Sequence, residues 1–309
     1  MAKIWKKEPA WLEKKRQLAV ILQSRFPTLP GQEEWVDHWQ KRTTGVSRGW
    51  LSLQEDSLTA MPLEQAVNEY STLLQENLME KAIFWQDNQL AAMHLANIDC
   101  GQFIYLRPQS TQERPIVFSP HLNSANTHNI IVISAGASAV IEERMVNDTL
   151  LPSYEGTEIL VGANAHVTYR QANRSTSKNI YRAIHAYQAH GSTLQFEVAS
   201  QVQTKATVDL YSFLDGQNTQ WTPTIALSGT QQLTAMVDGF GKETSATLTQ
   251  YRDSEMVTGA PFKVKAGEPL PISEDIHPLK ELASSERWLK QIRLKLITAM
   301  VQLNINNEK

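Results

Sequence analysis

Residues 136–143 read GASAVIEE, residues 162–169 read GANAHVTY and residues 191–198 read GSTLQFEV. Each opens on a glycine, and Gly136, Gly162 and Gly191 are spaced by 26 and 29 residues. Apolar residues follow at the third and fifth positions: Ala139 and Ile141, Ala165 and Val167, Leu194 and Phe196. A turn glycine followed by period-two alternation marks a turn feeding a strand buried on one face. Recurrence at a near-constant period means one supersecondary unit stacked on its neighbours. The expectation is a mainly β chain with a parallel β-helix, or β-solenoid, at its centre. Ala137, Ala139, Ala163 and Ala165 sit at matching positions, as closely stacked coils favour. The competing all-β arrangement, an immunoglobulin-like sandwich, leaves this recurrence without a reason.

Outward from this stretch, β-prone runs continue in both directions. They include QFIYLR, PIVFS and NIIVIS before it, then NIYRAIHAY, ATVDLYSFL, QQLTAMVDGF and SATLTQYR. Nine of the fourteen glycines lie between residues 120 and 265, and no proline occurs from 153 to 222. Proline breaks ladder hydrogen bonds, so its absence suits interior strands. The solenoid is assigned to residues 96–266.

The region 1–95 reads as helical. Leu12, Leu18, Ala19, Leu22 and Phe26 fall at helical spacing, and Pro27 stops the run. Pro62 opens a second helix whose apolar face runs from Leu63 through Leu78 to Ile83. Trp35, Trp39 and Trp50 lie between, as aromatics that wedge a small cap onto the core. Residues 267–309 read as a proline-bearing linker, EPLPISEDIHP, and a terminal amphipathic helix from about Leu279 to Leu303. Trp288, Leu289, Ile292 and Leu296 on its apolar face are the candidate partner-docking residues.

Charge is nearly balanced at -3, without the basic excess that nucleic acid demands. Cys100 is the single cysteine, so this chain alone builds no disulfide or Cys-rich cluster site. No run approaches the roughly 18 apolar residues of a membrane span. The basic N-terminus lacks the h-region of roughly 7–15 residues that a signal peptide needs. A cytoplasmic protein is expected.

Nucleotide loops, HExxH, GxSxG and paired-cysteine motifs are absent from the sequence. Histidine is the commonest general base and metal ligand, but no carboxylate or cysteine stands at ligand spacing from His121, His128, His166, His185 or His190. A polysaccharide-acting β-helix enzyme would need clustered acids on one face. Glu142, Glu143, Asp148, Glu155, Glu158, Glu197, Asp209 and Asp215 are dispersed instead.

Several phrases, in order, resemble the SufB/SufD family of iron–sulfur cluster assembly proteins, SufD more than SufB. They are LPGQEEWVDHW, FIYLRP, HNIIVISAGASAVIEERM and EILVGANAHVTYRQANRSTSKNIYRAIHAYQAHGSTLQFEVAS. The resemblance covers roughly residues 100–215 well and the N-terminal helices loosely. It implies a right-handed parallel β-helix flanked by helical ends. It also implies a non-catalytic cytosolic scaffold that pairs with SufB through the sheet and with the ATPase SufC through the C-terminal region. The family's phrases like CSHGAT and FYLRSRG have no counterpart here. No catalytic residue, metal ligand or cofactor site is therefore carried over, and an iron–sulfur cluster is expected only transiently, in a complex. An exposed solenoid edge also invites self-pairing, so a homodimer is expected of the isolated chain. The alternatives are a β-helix interaction protein without the assembly role, and the polysaccharide enzyme.

Overall fold

The computed structural model describes residues 5–38, 48–253, 256–267, 270–282 and 289. The chain is mainly β and winds into a β-solenoid of about six turns. Trp39 and most of the expected terminal helix, with Trp288, Ile292 and Leu296, lie outside the described residues.

One residue per coil explains the repeat. Gln109, Gly136, Asn164, Gly191, Asn218 and Glu243 all hold φ between 55° and 67°. Their spacings are 27, 28, 27, 27 and 25 residues. They stack: the N–H of Gly136 donates to Ala163 O at 2.8 Å, that of Asn164 to His190 O at 2.9 Å, and that of Gly191 to Gln217 O at 2.8 Å. A Cβ on Gly136 would lie 2.3 Å from Gln109 Nε2, and one on Gly191 would lie 2.2 Å from Asn164 Oδ1. In the left-handed column the side chains of Gln109 and Asn164 thus fold over Gly136 and Gly191 of the next coil. Gly162 does not belong to it, although the sequence places it there. It stands two residues earlier, where a Cβ would lie 2.6 Å from the Ala135 nitrogen of the coil below. With Asn164 as the turn residue, the third and fifth positions become Val167 and Tyr169, which pair with Ala139 and Ile141 below and with Leu194 and Phe196 above.

Each coil carries two long faces. The first sheet stacks Ile116–Phe118, Ser138–Glu143, His166–Ser175, the first half of Thr193–Asp215, the first half of Gln220–Phe240, Ser245–Arg252 and Ile272–Pro278, all parallel. The second stacks Gln102–Leu106, Asn126–Ile133, Ser153–Val161, Asn179–Ala189, the two remaining halves and Lys263–Gly267. Short strands His121–Leu122 and Val146–Asn147 form a third side with the end of His166–Ser175. The 23-residue strand Thr193–Asp215 serves both faces, and the register shifts between Gln201 and Lys205 where it turns the corner. Inside, Ile131, Ile159, Ile184, Leu210, Phe196 and Trp221 belong to one apolar core. Such fully buried side chains contribute about 1.5–3 kcal/mol each.

Two strands hold prolines outside the proline-free stretch. Gln220–Phe240 contains Pro223, which pairs with Phe196 on one side, while on the other the pairing passes from Trp221 to Thr224. Proline lacks an N–H, so the ladder is interrupted only toward that neighbour. The expected linker EPLPISEDIHP holds the strand Ile272–Pro278, paired with Ala246–Arg252. The solenoid thus extends beyond residue 266. At the other end a hairpin of Leu53–Gln54 and Leu58–Pro62, within the region read as helical, pairs antiparallel onto Gln102–Leu106 and covers its free edge.

Helices α1 (Ala10–Gln23), α2 (Glu33–His38), α3 (Leu63–Glu69), α4 (Ser71–Asn77) and α5 (Gln89–Asn97) cover the outer face of the second sheet. Leu12, Leu63, Leu74 and Leu95 pack there with Phe103, Ile130 and Tyr154. Neighbouring cations of α1 serve two helix C-termini: Lys15 donates to Leu78 O, and Arg16 donates to Leu95 O and Ile98 O at 2.9 Å each. The sequence predicts one helix from Pro62 to Ile83. The structure breaks it at Tyr70 and ends it at Asn77, because Met79 turns to φ 55° and its N–H leaves the helix for a carboxylate of the sheet. Asn88, accepting from the Ala91 N–H at 2.9 Å, caps α5, a helix absent from the expectations above. No helix among the described residues is long and apolar enough to cross a membrane.

Candidate functional site

The densest cluster of titratable groups lies between this helical cap and the second sheet. His128 and Glu158 stand on the outward side of neighbouring strands, and His94 comes down from α5. His94 Nε2 lies 3.0 Å from His128 Nδ1, and His128 Nε2 lies 3.0 Å from Glu158 Oε2. All three side chains are fully buried. Glu158 also accepts the N–H of Met79 at 2.7 Å and that of Ile83 at 2.9 Å. His94 Nδ1 meets the Asn126 carboxamide at 3.2 Å, and its ring stacks on Tyr154 at 3.9 Å. Gly156 makes room, since a Cβ there would lie 2.7 Å from His128 Nδ1. Burial, followed by the neighbouring His128, holds His94 well below the ordinary histidine range.

A second link lies one rung further. His185 Nε2 stands 3.2 Å from Asp209 Oδ2, its Nδ1 stands 3.2 Å from Ala82 O, and Tyr181 donates to Asp209 at 2.7 Å. Both ring nitrogens face oxygen acceptors. Burial pushes the Asp209 carboxyl up, but His185 and the Tyr181 hydroxyl outweigh it and hold it below its ordinary value. Met79, Ala82 and Ile83 are thus clamped to the sheet from two sides. The chemistry of this cluster is that of a clamp: a relay of N–H donors ends on one carboxylate, out of reach of solvent.

The remaining sequence candidates are scattered. His121 pairs with Asp148 on the exposed third side. His166 bonds Thr193 Oγ1 at 2.8 Å on the outer face of the first sheet, and His190 is exposed at a turn. The acids are paired in small groups. Glu142 meets Arg144 and Arg170, and Arg170 also meets Glu197 at 2.8 Å. Asp215 accepts from Tyr187. Inside the solenoid, Glu143 accepts from Tyr169, Asn173 and Asn129, and burial raises its pKa. Glu155 meets Arg182 at 2.7 Å, with both side chains buried. Among the described residues no three His, Cys, Asp or Glu side chains converge as a metal site.

Leu289 is buried with Leu279 and Leu282 against a ladder of Ala172, Ala199, Ala226 and Tyr251. Its side chain is enclosed by its own solenoid, where the sequence offers it to a partner. The reason is the small-residue ladder, which lets Leu279, Leu282 and Leu289 lie close to the sheet. In sequence the ladder is visible only as three alanines 27 residues apart.

At the C-terminal end, the strands Lys263–Gly267 and Ile272–Pro278 each pair on one side among the described residues. Phe240, Met256, Ile272 and Ile276 are 37–50% exposed near this end. No family model matches the chain, and no curated protein matches it.

Proposed function

We propose that the chain is a SufD-like, non-catalytic scaffold subunit in cytoplasmic iron–sulfur cluster assembly. The observation that carries this reading is the asymmetry of the solenoid. One end is covered by an antiparallel hairpin, while the last described rungs carry strand edges flanked by Ile272 and Ile276. An open strand edge with apolar flanks recruits another chain by sheet extension. A SufB-like subunit is the partner that the resemblance of residues 100–215 supplies. A SufC-like ATPase would engage the C-terminal region beyond Leu289. The cluster is cargo of the assembled complex, and this chain works through contacts.

The test is co-expression of the chain with a SufB-like scaffold and a SufC-like ATPase, followed by purification on a tag carried by this chain. A stable complex is expected. Recovery of the chain alone at micromolar concentrations contradicts the reading.

A further inference from the structure

We infer that the outward stripe of α1 seats the chain on an anionic lipid surface, with the helix lying in the headgroup layer rather than crossing it.

The inner side of α1 is fixed to the cap. Leu12 and Ala19 are buried there, and the inward cations Lys15 and Arg16 donate to Leu78 O, Leu95 O and Ile98 O. The opposite side faces solvent. Lys14, Leu18, Ile21 and Arg25 stand four, three and four residues apart, the spacing that puts side chains on one helix face. Arg25 lies just beyond the helix, and its N–H still donates to Leu22 O at 2.9 Å. Leu18 is 46% and Ile21 is 53% exposed, and the side chains of Lys14 and Arg25 are exposed at either end of the pair. The outward stripe is two aliphatic side chains between two cations, carried by a helix whose other side is locked in place.

Single exposed aliphatics are ordinary on a protein surface. Here they gather. Among the described residues nine large apolar side chains are exposed, and three of the nine, Leu18, Ile21 and Leu29, fall within twelve residues of sequence. Positive charge gathers in the same place. Residues 1–25 hold seven Lys and Arg against two Glu, a net +5, so the remaining residues hold -8 to make the total of -3. Glu8 is taken by Arg16 at 3.2 Å, while Lys6 and Lys7 ahead of the helix are exposed. The sign of this charge selects an anionic partner.

The shape selects lipid over protein. A folded partner binds most strongly through side chains that fill pockets, and a narrow convex stripe offers it none. A headgroup layer closes around a convex helix. Leu18 and Ile21 reach the acyl boundary, and the long stems of Lys14 and Arg25 bring their charges back to the phosphates. Apolar insertion and attraction to anionic lipid add in this mode, and with so few side chains of each kind the attachment is reversible.

Flotation of the full chain with lipid vesicles tests this. At low salt the chain should float with vesicles of equal parts phosphatidylglycerol and phosphatidylcholine, and should stay at the bottom with phosphatidylcholine alone. Leu18→Gln with Ile21→Gln should weaken binding to the anionic vesicles by about tenfold or more, with the circular dichroism spectrum unchanged. Lys14→Glu with Arg25→Glu should weaken it as much. Phe240→Gln, at an exposed apolar residue outside α1, should float as the wild type does. Failure to float with anionic vesicles, equal flotation with neutral ones, or a Leu18 and Ile21 double variant that floats as well as wild type overturns the proposal. Retention on polyglutamate beads without binding to vesicles assigns the stripe to an acidic protein and overturns it too.

Discussion

Met79 and Glu158 are 79 residues apart in sequence, and the Met79 N–H donates to Glu158 Oε2 at 2.7 Å. That bond takes the chain out of its helix and ties it to the solenoid. The same carboxylate takes Ile83 and His128, so one side chain holds together three parts of the fold. Glu158→Gln keeps the shape but removes the charge and turns a donor toward one of its three donors. The cap should lose about 3 kcal/mol, in the range for breaking a buried ionic network. Urea unfolding followed by tryptophan fluorescence should then show the cap melting before the solenoid. A single transition at the wild-type midpoint would count against this role.

Gly156→Ala places a methyl 2.7 Å from His128 Nδ1 and 3.2 Å from Tyr154 Cε1. Both neighbours are fixed rings, so overpacking should destabilise by about 1–3 kcal/mol. Asn218→Gly provides the contrast. Asn218 holds φ 56° in the stacked column, and glycine adopts that conformation without strain. Its stability should stay within about 1 kcal/mol of wild type, whereas Asn218→Val should cost about 1–2 kcal/mol. Equal effects of the two Asn218 changes in chemical denaturation would contradict the left-handed column.

Arg182 and Glu155 are paired inside the solenoid, where Arg182 also donates to Ser200 at 2.8 Å. Arg182→Met alone strands the carboxylate and should destabilise by about 3–5 kcal/mol. Arg182→Met with Glu155→Leu removes both charges and should recover most of that loss. A double variant no more stable than the single one would mean that the pair acts through shape rather than charge.

Burial pushes the Asp99 carboxyl up to about 6, ahead of the opposing bond from Ser124. A raised carboxyl pKa means that the folded state binds the proton more readily than the unfolded chain. Its contribution therefore falls as pH rises from about 4 to about 6, and is constant above. Asp99→Asn should be more stable than wild type above pH 6, by an amount of the order of 3 kcal/mol at most. The gain should vanish below pH 4. His94 is present in both proteins and cancels in the comparison. A difference between the two proteins that does not change with pH would refute this assignment.

Much of the solenoid is legible in sequence because its signal is local. Turn residues and period-two alternation recur in each coil, and Leu194 and Phe196 face inward as their spacing says. The coil at Asn164 misaligns in sequence because a glycine stands two residues away and Asn adopts the same left-handed turn. The strands holding Pro223 and Pro278 are hidden because a proline forbids only the bond its own nitrogen would make. The clamp is not legible. His128 stands out alone, but its partners are 34 and 30 residues away, and Met79 contributes only backbone. Glycine at 156 is the available hint, as a residue without a side chain inside an otherwise buried strand.

Sedimentation velocity of the chain mixed with a SufB-like scaffold measures the proposed pairing directly. A faster heterocomplex should form at micromolar concentrations, and Ile276→Glu at the exposed last rung should weaken it at least tenfold. If the chain sediments unchanged beside that partner, or Ile276→Glu binds as well as wild type, pairing through the open end of the solenoid is wrong.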